Sequence, residues 1–448
     1  MELDTAKGVR DFPPEQKIER NKIIQKLINI FTLYGFSPLE TPIIERLDVL
    51  TAKYAGGEEI TKEIFKLKDQ GDRDLCLRYD LTVPLARFIG MNPTIKLPFK
   101  RYQIGDVFRD GPIKLGRFRQ FIQCDADIVG SKSMLADAQC ISLGEDVFNA
   151  LNIAVNIEVN NRKILDGILE YAGIPEEKRL TTILTIDKLK KILPEGIEKE
   201  LAEKGLQQEM IKKIISAIKI EGTNNQKIDA LKKIIKTPAG IEGIAEIEQL
   251  LSYCKKRNII FAQYLARGLA YYTSTVYEIF AKKSTVTSSL AAGGRYDKMI
   301  GGFLQNKQEY PAIGISFGIE PITEVWKEQN TKEKSQKTVT QVYVIPIINK
   351  EAKTESKNNK GDNTINECID LCKKLRENGI STDMDINGKG ITKNLDYANQ
   401  YNIPFVIILG KEELRQKKVK LKDMNSGKEE LININDAIKR LVSKILSK

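Results

Sequence analysis

Apolar residues recur along the chain with two different periods, and the changes between them mark its segments. Behind a Pro-Pro pair, apolar positions at helical spacing run from Ile18 to Phe31 and predict a helix that ends at Gly35. From Ser37 onward the alternation becomes typical of strands. The runs FKRYQIGDVFRD and RFRQFIQCDADIVG, joined by GPIKLG, predict a long antiparallel hairpin with a basic loop at its tip.

The middle of the chain changes to lysine- and glutamate-rich amphipathic segments. Between about residues 181 and 240 these segments predict an inserted helical module. Strand patterns return in YLARGLAYYTSTVYEIF, SSLAAGGRYDKMIGGF and PAIGISFGIEPITEVW. We therefore expect one strand-rich domain over residues 1–326, interrupted by the helical insertion. The polar run KEQNTKEKSQKT, residues 327–338, is predicted to be a linker.

The pattern changes class after the linker, over residues 339–448. QVYVIPI, TDMDI and FVIILG have the composition of buried strands, and helical segments around Cys368 and Leu395 separate them. This βαβαβ alternation predicts a small α/β domain with a mainly parallel sheet. The polar insert NKEAKTESKNNKGDNT is predicted to be a surface loop.

The composition restricts the partners and the compartment. The chain has 448 residues and a formal net charge of +11, which favours a polyanionic partner, with a solvated basic surface as the alternative. Six scattered cysteines form no C-x-x-C pair, which is typical of a reduced, cytoplasmic protein. No apolar run approaches the about 18 residues that span a membrane, so we expect no membrane partner.

Histidine is absent from the sequence. This excludes a histidine base, a Ser-His-Asp or Cys-His pair, and a histidine metal ligand. The run GISFG at residues 314–318 fits the G-x-S-x-G pattern of hydrolase nucleophiles, but no histidine exists to take the serine proton. A lysine base is the alternative. We interpret the two glycines as sites of close backbone approach in a buried strand.

Arginines concentrate in the predicted sheet. The hairpin carries Arg109, Arg117 and Arg119, and Arg267 precedes a glycine further along the chain. One guanidinium group can bind two phosphate oxygens at once, and it stays charged at any working pH. This group of arginines therefore favours a nucleoside triphosphate as the ligand. The alternative is pairing within the sheet, with Asp106, Asp110 or Asp125 as partners.

Several segments together resemble the histidyl-tRNA synthetases, a family of class II aminoacyl-tRNA synthetases, nearly from end to end. The opening KGVRDFPPE is similar to the start of that family, and YGFSPLETPIIE is similar to its motif 1. VFRDGPIKLGRFRQFIQCDADIVG resembles motif 2, and AIGISFGIEP lies where motif 3 belongs. LARGLAYYTSTVYE and SLAAGGRYDKMIGGF resemble two segments peculiar to the family. NQYNIPFVIILGKEEL and KVKLKDMNSG resemble its anticodon-binding domain.

The resemblance implies an architecture and an activity. The fold would be an α+β catalytic domain with a class II antiparallel sheet and flanking helices, a helical insertion, and a C-terminal α/β anticodon-binding-like domain. The activity would be histidine–tRNA ligation from L-histidine, ATP with Mg²⁺, and tRNA(His). The implied assembly is a homodimer with motif 1 at its interface.

The resemblance also assigns roles to residues. Arg109 would hold the α-phosphate of ATP, Arg117 the γ-phosphate, and Arg267 the α-phosphate from the other side, so that Arg109 and Arg267 are the catalytic pair. No protein side chain is expected to ligate a metal. The expected histidine-binding residues are Asp80, Thr82 and Gln123 near the amino group, Asp127 and Tyr272 at the imidazole nitrogens, and Arg267 and Tyr271 beside them.

Four positions depart from the family pattern. Pro321 stands where motif 3 has an arginine that covers the adenine, and Gly111 stands at a motif 2 glutamate. Ala270 and Ser274 replace an acid and a glycine of the first signature. Two other functions therefore stay open, a non-catalytic paralogue (a regulatory subunit of histidine biosynthesis or an amino-acid sensor) and a basic tRNA-binding scaffold. Retention of Arg267 and of the C-terminal domain favours the ligase.

Overall fold

A computed structural model of the chain describes residues 3–52, 61–113, 118–190, 194–255, 257–267, 271–304, 309–330, 336–348 and 363–446. The chain divides into two compact units. One consists of Met1–Asp11 and Lys22–Asn330, and the other of Phe12–Asn21 and Thr331–Lys448. Within the described residues, no helix is both long enough and apolar enough to cross a bilayer.

The strands of the first unit form two sheets. A large sheet has the order β1-β5-β6-β11-β10-β9-β7-β8, and a small one the order β2-β4-β3. The large sheet is antiparallel between β5 and β7, with a parallel pair at each edge. The strands are β1 Ser37–Pro38, β2 Ile44–Arg46, β3 Lys66–Lys68, β4 Asp74–Leu77, β5 Phe99–Phe108, β6 Gln120–Val129, β7 Val155–Asn161, β8 Ile259–Phe261, β9 Thr275–Ala281, β10 Ala291–Arg295 and β11 Ala312–Gly318.

Helices surround the large sheet, and local sequence sets their ends. Thr223 and Gln226 form a capping box, and the side chain of Thr237 caps a helix that has Pro238 in its first turn. The helices are α1 Pro14–Leu33, α2 Leu47–Leu50, α3 Thr82–Met91, α4 Met134–Ala150, α5 Arg162–Tyr171, α6 Glu176–Ile186, α7 Pro194–Glu203, α8 Gln208–Ile218, α9 Asn224–Ile234, α10 Pro238–Tyr253, α11 Met299–Phe303 and α12 Ile319–Gln329, with a 3₁₀ turn at Asp187–Lys190.

One face of the large sheet packs into the main core, and the opposite face is left for polar side chains. Because successive strand residues point to opposite faces, Cys124 and Ala126 of β6 lie in the core while Asp125 lies on the other side. Phe317 of β11 likewise packs on Phe31 of α1, with ring centroids 5.6 Å apart. The same core continues into the helices α6–α10, so the insertion is packed against the sheet rather than appended to it.

The second unit is an α/β domain, which confirms the predicted fold class. Its sheet has the order β13-β12-β14-β15-β16. β13, β12 and β14 are parallel, as the βαβαβ pattern predicts, whereas β15 and β16 add an antiparallel hairpin that was not predicted. The elements are β12 Val342–Pro346, α13 Thr364–Glu377, β13 Thr382–Met384, α14 Ile391–Gln400, β14 Phe405–Leu409, α15 Lys411–Arg415, β15 Lys418–Asp423, β16 Glu429–Asn433 and α16 Ile434–Leu446.

Three boundaries differ from the sequence analysis. The strand pattern predicted from Tyr264 becomes β9 only at Thr275, because the turn at Tyr271–Ser274 carries aromatic rings to the polar face of the sheet. Helix α12 runs to Gln329, three residues into the predicted linker. Helical structure in the insertion extends on both sides of the predicted 181–240 range. The centre of the linker and most of the predicted loop at 349–364 lie outside the described residues.

Candidate active site

A cavity of about 370 Å³ opens on the polar face of the large sheet. Eight of the nine predicted site residues line it, and the ninth, Arg117, lies outside the described residues. The residues that the structure brings together are Asp80, Thr82, Arg109, Gln123, Asp127, Arg267, Tyr271 and Tyr272.

Strand alternation and glycines shape the floor of this cavity. On β6, Gln123 and Asp127 share the cavity face with Asp125. On β11, a Cβ at Gly314 would collide with Oδ1 of Asp127, so only glycine admits this carboxylate. Ser316, the centre of the G-x-S-x-G run, accepts a hydrogen bond from Nε2 of Gln123 at 2.8 Å. The glycines therefore serve close approach, as the sequence analysis interpreted them.

Asp127 is held by partners that the sequence analysis missed. Nη2 of Arg101 lies 2.8 Å from Oδ2 of Asp127, although no described donor directs a well-aligned hydrogen bond at that oxygen. The Tyr296 hydroxyl donates to Oδ1 at 2.6 Å. Burial raises the pKa of Asp127, and it raises the pKa of Asp125 to about 7. This end of the cavity therefore offers fixed carboxylates in a desolvated setting.

The two arginines of the cavity, Arg109 and Arg267, are each held in place by a different neighbouring residue. Arg109 stacks over the ring of Tyr79, with 4.2 Å from Cζ to the centroid, and its Nε donates to the Tyr79 carbonyl at 3.3 Å. Arg267 reaches the cavity from the segment before β9, and its Nη1 lies 2.7 Å from Oε1 of Glu278. Both guanidinium groups are thus oriented before any anion binds.

Not every arginine of the hairpin belongs to the site. Nη1 of Arg119 pairs with Oδ1 of Asp110 at 2.9 Å, which is the alternative that the sequence analysis left open. Arg295, in the GGRYD run, is buried and paired with Asp137. These two arginines stabilise the framework, whereas the adjacent Tyr296 faces the cavity.

One end of the cavity is built by Asp80 and the start of α3. Oδ1 of Asp80 accepts hydrogen bonds from the N–H groups of Thr82 at 3.1 Å and Val83 at 3.0 Å. Burial raises the pKa of Asp80, and these two donors oppose the rise. The side chain is therefore fixed with a carboxylate towards the cavity.

The departures from the family pattern have structural counterparts. Pro321 is the third residue of α12, where a backbone N–H has no partner within the helix, so the ring costs no hydrogen bond. The Ser274 hydroxyl donates to Oε2 of Glu246 at 2.6 Å. A Cβ at Gly111 would approach Oε1 of Glu63 to 2.7 Å. Ala270 lies outside the described residues.

The antiparallel sheet, its arginine- and carboxylate-lined cavity and the separate α/β unit define a class II aminoacyl-tRNA synthetase. A family model described as histidyl-tRNA synthetase matches residues 8–322, and one described as an anticodon binding domain matches residues 341–444. A histidine–tRNA ligase 1 from Bacillus cereus (strain ZK / E33L) is 42% identical over 438 residues, covering 96% of this chain and 97% of the relative. The chain belongs to the histidyl-tRNA synthetase family, which confirms the resemblance.

Further comparisons agree. A histidine–tRNA ligase from Clostridium tetani is 37% identical over 443 residues, covering 96% of each chain. The crystal structure of a histidyl-tRNA synthetase from Nostoc sp. PCC 7120 matches with a TM-score of 0.85 at 29% identity, covering 99% of this chain and all of that one. The likeness therefore includes both units and the helical insertion.

Proposed function

We propose that the chain is a ligase that activates L-histidine with ATP and transfers it to tRNA(His). The observation that carries the proposal is the convergence of Arg109 and Arg267 with Asp80, Gln123 and Asp127 in one cavity, in a member of this family. A non-catalytic paralogue is not favoured, because the relatives of this chain at 37–42% identity over nearly the full length are named as ligases.

Activation needs fixed positive charge rather than a protein base. A carboxylate oxygen of histidine attacks the α-phosphorus of ATP, the bond from that phosphorus to the bridging oxygen breaks, and pyrophosphate leaves. The negative charge that grows on the equatorial oxygens is stabilised by Arg109 and Arg267, whose guanidinium groups are already held by Tyr79 and Glu278. The nucleophile is ionised at neutral pH, so a chain without histidine can carry out this step.

Histidine recognition is proposed along the floor of the cavity. Asp127 accepts from one imidazole nitrogen and Tyr272 contacts the other, because imidazole always offers at least one donor. Asp80, Thr82 and Gln123 surround the substrate ammonium. An apolar substrate side chain would leave these buried groups unpaired, which is the physical basis of rejection.

The remaining partners follow from the same proposal. Mg²⁺ would accompany ATP, whose phosphate oxygens are ligands that this cation prefers. Residues 1–326 would act as the catalytic domain, and residues 339–448 would bind the anticodon. We propose a homodimer through the motif 1 segment, and a cytoplasmic location, in keeping with six cysteines that are all free and buried.

The decisive experiment is histidine-dependent exchange of pyrophosphate into ATP, followed by charging of tRNA(His). Exchange with histidine and none with other amino acids is the expected result. Histidine binding without any exchange would instead identify a sensor, and charged tRNA is needed to establish the transfer step.

A further inference from the structure

The turn that carries Tyr272 is joined to two helices by contacts that the proposed function does not use. Tyr272 lines the cavity, and the buried Ser274 ends the turn just before β9. The Ser274 hydroxyl donates to Oε2 of Glu246, on α10, at 2.6 Å. The Ser274 carbonyl accepts from the backbone N–H of Arg162, the first residue of α5, at 2.8 Å. Both helices therefore hold this end of the turn.

The Glu246 carboxylate is the centre of these contacts. Besides Ser274, Nδ2 of Asn161 donates to its Oε2 at 2.6 Å, and the same Nδ2 donates to the Ser274 hydroxyl oxygen at 3.1 Å. Nζ of Lys163 lies 2.7 Å from its Oε1. The Glu246 side chain is only 18% exposed, and hydrogen bonds to a charged group are stronger than those between neutral groups. The carboxylate therefore fixes the position of the Ser274 hydroxyl.

Three glycines let α10 come close enough to α5 for Glu246 to reach the turn. A Cβ at Gly240 would lie 3.4 Å from Cα of Gly167, on α5. A Cβ at Gly243 would lie 2.8 Å from Cβ of Lys163 and 3.2 Å from Oδ1 of Asn161. Since the side chains at a contact set the distance between two helices, larger residues here would move α10 away from the turn.

The sheet holds the other side of the same turn. A Cβ at Gly294 of β10 would lie 2.7 Å from Cδ1 and Cε1 of Tyr272, so the ring lies directly against glycine backbone. The ring centroids of Tyr271 and Tyr272 are 4.7 Å apart. The backbone N–H of Thr273 donates to the Arg295 carbonyl at 2.8 Å. The turn is therefore fixed between the sheet and α10.

We propose that Glu246 and Ser274 are positioning residues for histidine binding, which hold the Tyr272 ring in the cavity from outside it. This inference rests on the proposed function, in which Tyr272 contacts an imidazole nitrogen. Among the described residues, neither Glu246 nor Ser274 belongs to the cavity lining, so both would act through the turn. Serine at position 274 departs from the family pattern, and its hydroxyl is the group that reaches Glu246.

A purely structural role for Glu246 makes a different prediction. If its contacts only joined α10 to α5, removal of the carboxylate would lower the melting temperature and leave histidine affinity unchanged well below that temperature. Glu242 offers a matched control. It lies one turn earlier on α10, its side chain is 63% exposed, and its Oε1 pairs with the same Nζ of Lys163 at 2.8 Å.

The experiment measures the affinities for L-histidine and for ATP separately, by calorimetry on the full chain. The variants are Glu246→Ala and Ser274→Ala, with Glu242→Ala as the control, each alone and combined with Tyr272→Phe. Thermal unfolding of every variant sets a working temperature at which all of them are folded. Ser274→Ala keeps the test decisive if Glu246→Ala does not fold.

Glu246→Ala and Ser274→Ala should each raise the histidine dissociation constant about fivefold, the scale of one ordinary hydrogen bond. The ATP dissociation constant should stay within about twofold, as should both constants in Glu242→Ala. In the Tyr272→Phe chain, which lacks the hydroxyl, neither substitution should weaken histidine binding further, because residues that act through one group are not additive.

Four results overturn the inference. They are unchanged histidine affinity, equal weakening of histidine and ATP, an equal loss in Glu242→Ala, and a full further loss in the Tyr272→Phe chain. A Tyr272→Phe chain that binds histidine like wild type also overturns it, because the turn would then present nothing to the imidazole. Failure of the wild-type chain to bind histidine overturns the proposed function itself.

Discussion

Removal of the Arg267 guanidinium tests the proposed chemistry most directly. The group lines the cavity, and Glu278 holds it at 2.7 Å. A fixed donor aimed at charge that develops in the transition state contributes about 10²–10³ in rate, or about 2.7–4 kcal/mol. Arg267→Ala should therefore slow histidyl-adenylate formation by this factor, and weaken histidine binding far less.

The structure also identifies a second effect of the same substitution. The Glu278 side chain is 16% exposed, so Arg267→Ala leaves a mostly buried carboxylate without its cation, close to where we propose that the phosphates bind. That bare charge would itself oppose the reaction. The double variant Arg267→Ala/Glu278→Gln removes both charges, and it should restore stability while the rate remains low.

The assay is a rapid-quench single turnover of adenylate formation, with histidine affinity measured separately by calorimetry. Single-turnover rates of Arg267→Ala within threefold of wild type would refute the assignment of Arg267. A double variant that recovers the wild-type rate would attribute the loss to the bare carboxylate, and the guanidinium would then not act on the phosphate.

Three further predictions concern the histidine end, the adenine end and pH. Asp127→Asn should raise the histidine KM and leave the ATP KM unchanged, while Asp127→Ala should also cost about 3–5 kcal/mol of stability, because Arg101, at 0% exposure, loses its partner. Pro321→Arg should lower the ATP KM about tenfold without changing the histidine KM, through a cation over the adenine ring. Burial raises the pKa of Asp125 from 3.8 to about 7, so between these pH values the folded chain keeps a proton that the unfolded chain has lost. The free energy of unfolding should therefore fall as the pH rises from about 4 to 7, and it should stay constant above that range.

Each of these has a result that contradicts it. An unchanged histidine KM in Asp127→Asn would put the imidazole elsewhere. An unchanged ATP affinity in Pro321→Arg would mean that another group already covers the adenine. Denaturant unfolding gives the pH dependence, and an Asp125→Asn chain with the same slope as wild type would show that a different group titrates. A chain without histidine would otherwise be expected to change little in stability near pH 6–7, and the burial of Asp125 is the reason for expecting a change.

The parts of the site that lie on one strand were predictable from local pattern. Gln123 and Asp127 are on the same strand face because they are four residues apart, and the resemblance named both. The partners of Asp127 were not predictable in this way. Tyr296 is 169 residues away, and it meets Asp127 only because β10 and β11 pair beside β6. The contact between Arg101 and Asp127 could be predicted only from the register of the hairpin, in which the two residues lie directly opposite each other.

The sequence pattern also could not predict which polar side chains of the sheet face the cavity and which are paired elsewhere. The hairpin arginines look equivalent in sequence, yet Arg119 pairs with Asp110 while Arg109 stacks on Tyr79 in the cavity. Ser316 is the central residue of the G-x-S-x-G run, and in the structure its hydroxyl oxygen accepts a hydrogen bond from Gln123. The role of Ser316 depends on the side chains of the neighbouring strand, and only the order of strands in the sheet determines which strand that is.

The absence of histidine shortens the list of groups that can explain the pH dependence of activity. In most chains, a rate that changes near pH 6–7 has many possible sources, because histidine side chains titrate there. Here the imidazole in the reaction belongs to the substrate, and burial raises the pKa of three carboxylates that line the cavity, Asp80, Asp125 and Asp127, that of Asp125 to about 7. An Asp125→Asn chain removes that titration. A change of rate that persists near pH 6–7 in this variant then comes from the imidazole of histidine or from Asp80 or Asp127, and the same measurement on Asp127→Asn tests the last of these.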